Sequence, residues 1–86
     1  MALYNVEMQD TYTGGQCETQ LELDPANMGE SLREWLQNEH DKVGSGWDAE
    51  FAVDQVGERD GHALVVIVDK LAVDEGCFTI LCTKVN

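Results

Sequence analysis

Polar and apolar residues alternate with period two over three stretches of this chain and switch to a helical period in a fourth. In a fifth the polar partners disappear. In residues 3–10, Tyr4, Val6 and Met8 fall on one side of an extended chain, and Asn5, Glu7 and Gln9 on the other. Cys17, Thr19, Leu21 and Leu23 alternate in the same way with Glu18, Gln20, Glu22 and Asp24. Gly14-Gly15 lies between the two runs, where positive φ costs little. The pattern predicts a hairpin with one wet face.

Asp24-Pro25 ends the second run, and the period changes. Asn27 followed by Glu30 has the form of a capping box and sets a helix start near Met28. At about 100° per residue, Met28, Leu32, Trp35, Leu36 and Val43 share a core-facing stripe about 100° wide. Glu30, Glu34 and Asp41 cluster on the opposite side. Glu39 falls inside the apolar stripe, where it either snorkels from the last turn, pairs with Lys42, or is a buried carboxylate with a raised pKa. Gly44-Ser45-Gly46 supplies the stop.

Trp47, Ala49, Phe51 and Val53 then alternate with Asp48, Glu50, Ala52 and Asp54, a third strand with an acidic outer side. After a turn at residues 58–61 comes Gly-His-Ala-Leu-Val-Val-Ile-Val-Asp, residues 61–69. It is too short for a buried helix and predicts a central strand, apolar on both faces. Residues 71–76 read as a connection and 77–85 as a last strand. The two sides of that strand (Phe78, Ile80, Cys82; Cys77, Leu81, Val85) are both partly apolar, so alternation does not choose which one meets the helix.

The order is therefore β-β-α-β-β-β. One helix cannot cover both sides of a sheet, so the expectation is a two-layer α+β fold: a largely antiparallel sheet of four or five strands with one helix on one face. With 86 residues it should form one domain, 1–86. The face without the helix must carry either Val65 and Ile67 or Leu64, Val66 and Val68. The reading adopted places Val65 and Ile67 there, an apolar strip bordered by acids like the centre and rim of an interface.

Charge changes the picture most. Seventeen acids face five bases, for a net charge of −12. That balance repels nucleic acid and anionic membrane and attracts basic surfaces or cations. No run approaches the ~20 apolar residues of a membrane helix. Met-Ala-Leu-Tyr-Asn at the start lacks the charge and apolar core of a signal peptide, so a cytoplasmic protein is expected.

Candidate chemistry is thin. The chain has no G-x-S-x-G, H-E-x-x-H or P-loop, and Gly44-x-Gly46 follows a helix, the wrong context for a nucleotide loop. His40 and His62 read as surface histidines, and no two carboxylates stand out as an acid–base pair. No enzyme, no cofactor and no metal are expected. Asp48-x-Glu50-x-x-x-Asp54 and Asp69 with Asp74-Glu75-Gly76 are rich in hard ligands but lack EF-hand spacing. Cys17, Cys77 and Cys82 read as free thiols, because Cys77 and Cys82 would point to opposite faces of one strand.

The acidic rows remain. Alternate residues on one strand face lie about 6.6–6.8 Å apart, so Glu18/Glu22 and Asp48/Glu50/Asp54 form rulers of charge. A DNA strand carries a phosphate every ~3.4 Å of axis, a density that two neighbouring acidic strands together approach. In size, acidity and one helix on an antiparallel sheet, the chain is similar in type to small phage and mobile-element inhibitors. These include anti-CRISPR and anti-restriction proteins, some of which imitate DNA. The resemblance is one of general character, carried by no motif.

The leading expectation is a non-enzymatic inhibitor or adaptor that engages the basic surface of a nucleic-acid-binding protein. Glu18, Glu22, Asp48, Glu50 and Asp54 would make the contact, with Val65 and Ile67 as apolar centre. Glu30, Glu34 and Asp41 would form a separate, secondary patch. The alternative is a self-associating structural or accessory protein, such as a homodimer through the open face, whose acidity is solvation or halophilic adaptation.

Overall fold

Two hairpins are joined through the last strand. The computed structural model describes residues 1–11, 14–43, 48–72 and 77–85. Its elements are β1 (Ala2–Asp10), β2 (Gln16–Leu23), α1 (Met28–Val43), β3 (Phe51–Arg59), β4 (His62–Asp69) and β5 (Cys77–Lys84). The five strands form one antiparallel sheet in the order β2-β1-β5-β4-β3. The β-β-α-β-β-β succession agrees with the hydrophobic pattern. The residue 44–46 stop, Trp47 and the Asp74-Glu75-Gly76 run lie outside the described residues.

Turn chemistry sets the registers. Gly14, at φ 74°, donates to the Asp10 carbonyl at 2.8 Å, and Asp10 donates to Gly15 at 2.8 Å, closing β1 onto β2. Asp60 and Gly61 both have positive φ, 52° and 81°, between the paired residues Arg59 and His62. That is the Asp-Gly two-residue hairpin, whose twist matches the strands. The strand therefore continues through Arg59, and the turn is shorter than the residue 58–61 turn expected. At the other end, the Asp69 carboxylate accepts from the Glu50 and Leu71 amides, at 3.1 and 3.0 Å.

The helix begins as its cap residues require. The Asp24 carboxylate accepts from the Ala26 amide at 3.0 Å, and the Asn27 carbonyl accepts the first helical bond from Ser31 at 3.0 Å. The capping box is not completed: the Glu30 carboxylate turns instead to Arg33, one turn on. Gly29 sits where the first turn meets β3. A Cβ there would lie 3.0 Å from Val56 Cγ2 and 3.1 Å from Val53 Cγ1. The missing side chain sets how closely the helix approaches.

α1 packs on β3 and β4, and more lightly on β2. Met28, Leu32 and Leu36 form one buried cluster with Tyr4, Val6, Leu23, Phe51, Val65, Ile67, Ile80 and Cys82. Burial of side chains such as Leu32, Ile67 and Ile80 contributes roughly 1.5–3 kcal/mol each. Gln37 clamps the lead-in to β3. Its Nε2 donates to the Ala49 carbonyl at 2.9 Å, and its Oε1 accepts from the Phe51 amide at 3.0 Å. His40 then packs edge-on to Phe51, ring centroids 5.8 Å apart.

Several expectations are corrected here. Val43, the last residue of the helix, is 74% exposed, and the buried stripe ends at Leu36. The both-sided apolar strand, β4, is interior but not central; the middle position belongs to β5. The strand expected from Trp47 begins at Phe51, and it is bulged between Val53 and Gln55, with Asp54 the extra residue. Phe78, Ile80 and Cys82 are the β5 residues on the helix side of the sheet, because they share a face with Val6, Val65 and Ile67. Val65 and Ile67 are therefore wholly buried beneath α1, and the open face carries Leu64, Val66 and Val68 instead.

Candidate protein-interaction face

Among the described residues, no element covers the second face of the sheet. Strand register reads that face as rows running edge to edge. One row is Glu18–Glu7–Leu81–Leu64–Gly57, and the next is Gln16–Gln9–Thr79–Val66–Gln55. A third crosses Cys77, Val68 and Ala52. Leu64, Val66, Val68, Thr79 and Leu81 are half-buried, and Glu7, Glu18, Glu22, Gly57 and Arg59 are exposed. The result is an apolar strip over β4 and β5 with acids along the β1–β2 side.

This rearranges the sequence-derived site. Glu18 and Glu22 lie on β2, whereas Glu50 and Asp54 belong to the region of β3, at the opposite edge of the sheet. Four strand spacings, about 19 Å, separate the two edges. Asp48 is exposed and precedes β3, and the bulge at Asp54 takes it out of the Asp48/Glu50 period. The five acids therefore do not form one continuous ruler. The two acidic strands are not neighbours, so the density of a phosphate ladder is not reached. Glu7 is the acid that joins Glu18: alternation had already put it on the wet side of β1, but its neighbour was unknown without the strand order.

Several features of this face are not required by folding. Glu7 and Glu18 stand directly opposite each other, an arrangement in which like charges destabilise the pair. Gly57 interrupts β3 beside Leu64, although a Cβ there would meet nothing within 4 Å. Arg59 has no ion-pair partner among the described residues despite the acidic surroundings. Arg59, Leu64, Thr79, Leu81, Glu7 and Glu18 together line a single surface depression. By contrast, Gln20 and Asn5 are tied by a cross-strand hydrogen bond of 2.8 Å.

The helix acids are a different surface. The hydrogen bond from Arg33 holds the Glu30 carboxyl below its usual pKa range, against a smaller desolvation effect. Asp41 accepts from Gln37 at 3.3 Å, and Glu34 is exposed. Because α1 covers the other face, this patch and the Glu7/Glu18/Glu22 group cannot touch one flat partner together. Glu39 pairs with Lys42 at 3.5 Å, as the second of its three readings expected.

No group of three or more His, Cys, Asp or Glu residues among those described could hold a metal ion. Cys17 is exposed, and Cys77 and Cys82 point to opposite faces of β5. Burial pushes the Cys82 thiol up to about 11. The described residues include no helix long and apolar enough to cross a membrane. Compared with protein-family models, with curated proteins and with solved structures, the chain matches none.

Proposed function

We propose that this chain is a non-enzymatic binding module, an inhibitor or adaptor, whose open sheet face receives a basic surface of a partner protein. The observation that carries the reading is the arrangement of that face: Leu64, Val66, Val68 and Leu81 form an apolar strip, and Glu7, Glu18 and Glu22 border it. A desolvated apolar centre with a charged rim is the anatomy of a protein interface. At a net charge of −12 the complementary partner is cationic. Nucleic-acid-binding proteins carry such surfaces, and the chain would compete with nucleic acid for them. The spacing of the acids favours recognition of a protein surface over imitation of a phosphate ladder.

Binding of wild type to a panel of basic nucleic-acid-binding proteins, measured across a salt series, tests this. The expected result is association that weakens as salt rises and excludes duplex DNA from the partner. Indifference to every basic partner at low salt would leave plain solvation as the meaning of the charge.

A further inference from the structure

We propose that the element seated on the open face is an amphipathic α-helix of the partner, with an apolar stripe over Leu64, Val66 and Leu81 and a Lys/Arg row toward Glu7, Glu18 and Glu22. This rests on the binding role proposed above and specifies what that face receives. A strand with apolar residues on both sides is one that is covered on both sides. β4 has that character along Ala63–Leu64–Val65–Val66–Ile67–Val68, and this chain supplies a helix to one side of it.

An extended segment laid flat on the sheet would bury backbone groups without partners. An edge-added strand would not reach β4 and β5, which are interior. A helix satisfies its own backbone and brings only side chains.

The dimensions fit. Glu7 on β1 and Arg59 on β3 lie three strand spacings apart, about 14 Å, against a helix diameter of about 10–12 Å. Glu18 and Glu22 are four residues apart on β2, roughly 13 Å, or between two and three turns of helix. Glu7, Glu18 and Glu22 mark the β1–β2 flank as the one that takes the cations of the helix. Toward β3 stand Arg59, without an ion-pair partner among the described residues, and the exposed acids Glu50 and Asp54. Gly57 then has a role: a strand glycine with open space above it admits close approach of another chain beside Leu64.

Two synthetic peptides of identical Leu, Ala and Lys composition test the inference. In one, leucines and lysines occupy separate helical faces; in the other their order is scrambled. The segregated peptide is expected to bind about tenfold more tightly or better and to gain helical circular dichroism. It should shift the amide signals of Gly57, Leu64, Val66 and Leu81 in the labelled protein. Gly57→Leu, whose Cβ would meet no atom within 4 Å, should keep the native spectrum and remove that preference.

Equal binding of both peptides, or shifts confined to Glu7, Glu18 and Glu22, would overturn the helix while leaving a basic partner in place. A Gly57→Leu variant that binds as wild type would also overturn it. Failure with both peptides while a basic protein binds would overturn the helix alone, and failure with all of them would remove both readings. A free protein that is dimeric through Leu64 and refuses the peptide would assign the face to a second copy.

Discussion

Glu7 on β1 and Glu18 on β2 stand directly opposite each other on the uncovered side of the sheet. Two carboxylates in that position repel, and nothing in the core depends on either. Glu18→Lys converts the pair to opposite charges and is expected to raise stability by about 0.5 kcal/mol in urea unfolding. The same substitution should weaken attachment to a basic partner. A variant that is more stable yet binds less well is the signature of residues retained for contact.

The two faces of β4 should respond differently to substitution. Ile67 is fully buried, and Ile67→Ala is expected to cost about 2–5 kcal/mol. Val66 is half-buried on the open face, and Val66→Thr should fall within about 1 kcal/mol of wild type. Comparable losses at both positions would mean that the second face is covered by the chain itself.

Gln37 closes the approach to β3 with both ends of its amide. Gln37→Leu leaves the Phe51 amide without its acceptor and is expected to cost about 1–3 kcal/mol. Hydrogen exchange at Phe51 should accelerate more than exchange in the middle of β4.

The thiols separate by exposure. Cys17 should react with a thiol reagent at neutral pH in the folded protein, and Cys82 only on unfolding. The Cys82 pKa is raised from 9.0 to about 11 in the folded state. Its contribution to stability is therefore complete below pH 9.0 and is lost as pH rises toward about 11. In that window the unfolded thiol has ionised while the buried one still holds its proton. Urea titrations of wild type and Cys82→Ala should differ in slope with pH across that window and run parallel below it.

Much of the fold was legible in the chain because its signals are local. Asp24-Pro25, Asn27 and the Met28/Leu32/Leu36 spacing place the helix, and Gly14 and Asp60-Gly61 place the hairpins. What was not legible depends on pairing between distant segments. Val65 and Val66 are equally apolar, and only the register of β4 against Ile80 and Thr79 decides which one the helix covers. Asp54 was read as part of a ruler because a bulge leaves no mark in alternation. Glu7 gained its neighbour Glu18 only through the β1–β2 register. Gly29 and Gly57 look alike in sequence, yet one admits β3 against the helix and the other faces open space.

The central claim is that the acids of the open face, rather than the total charge, make the contact. The most direct measurement compares two doubly reversed variants with the same change in net charge, Glu18→Lys/Glu22→Lys and Glu34→Lys/Asp41→Lys, for affinity to one basic partner at fixed salt. The account expects the first to lose binding by about tenfold or more and the second to remain within a small factor of wild type. Equal losses in both would show that the partner responds to overall charge and that the open face is not the binding surface.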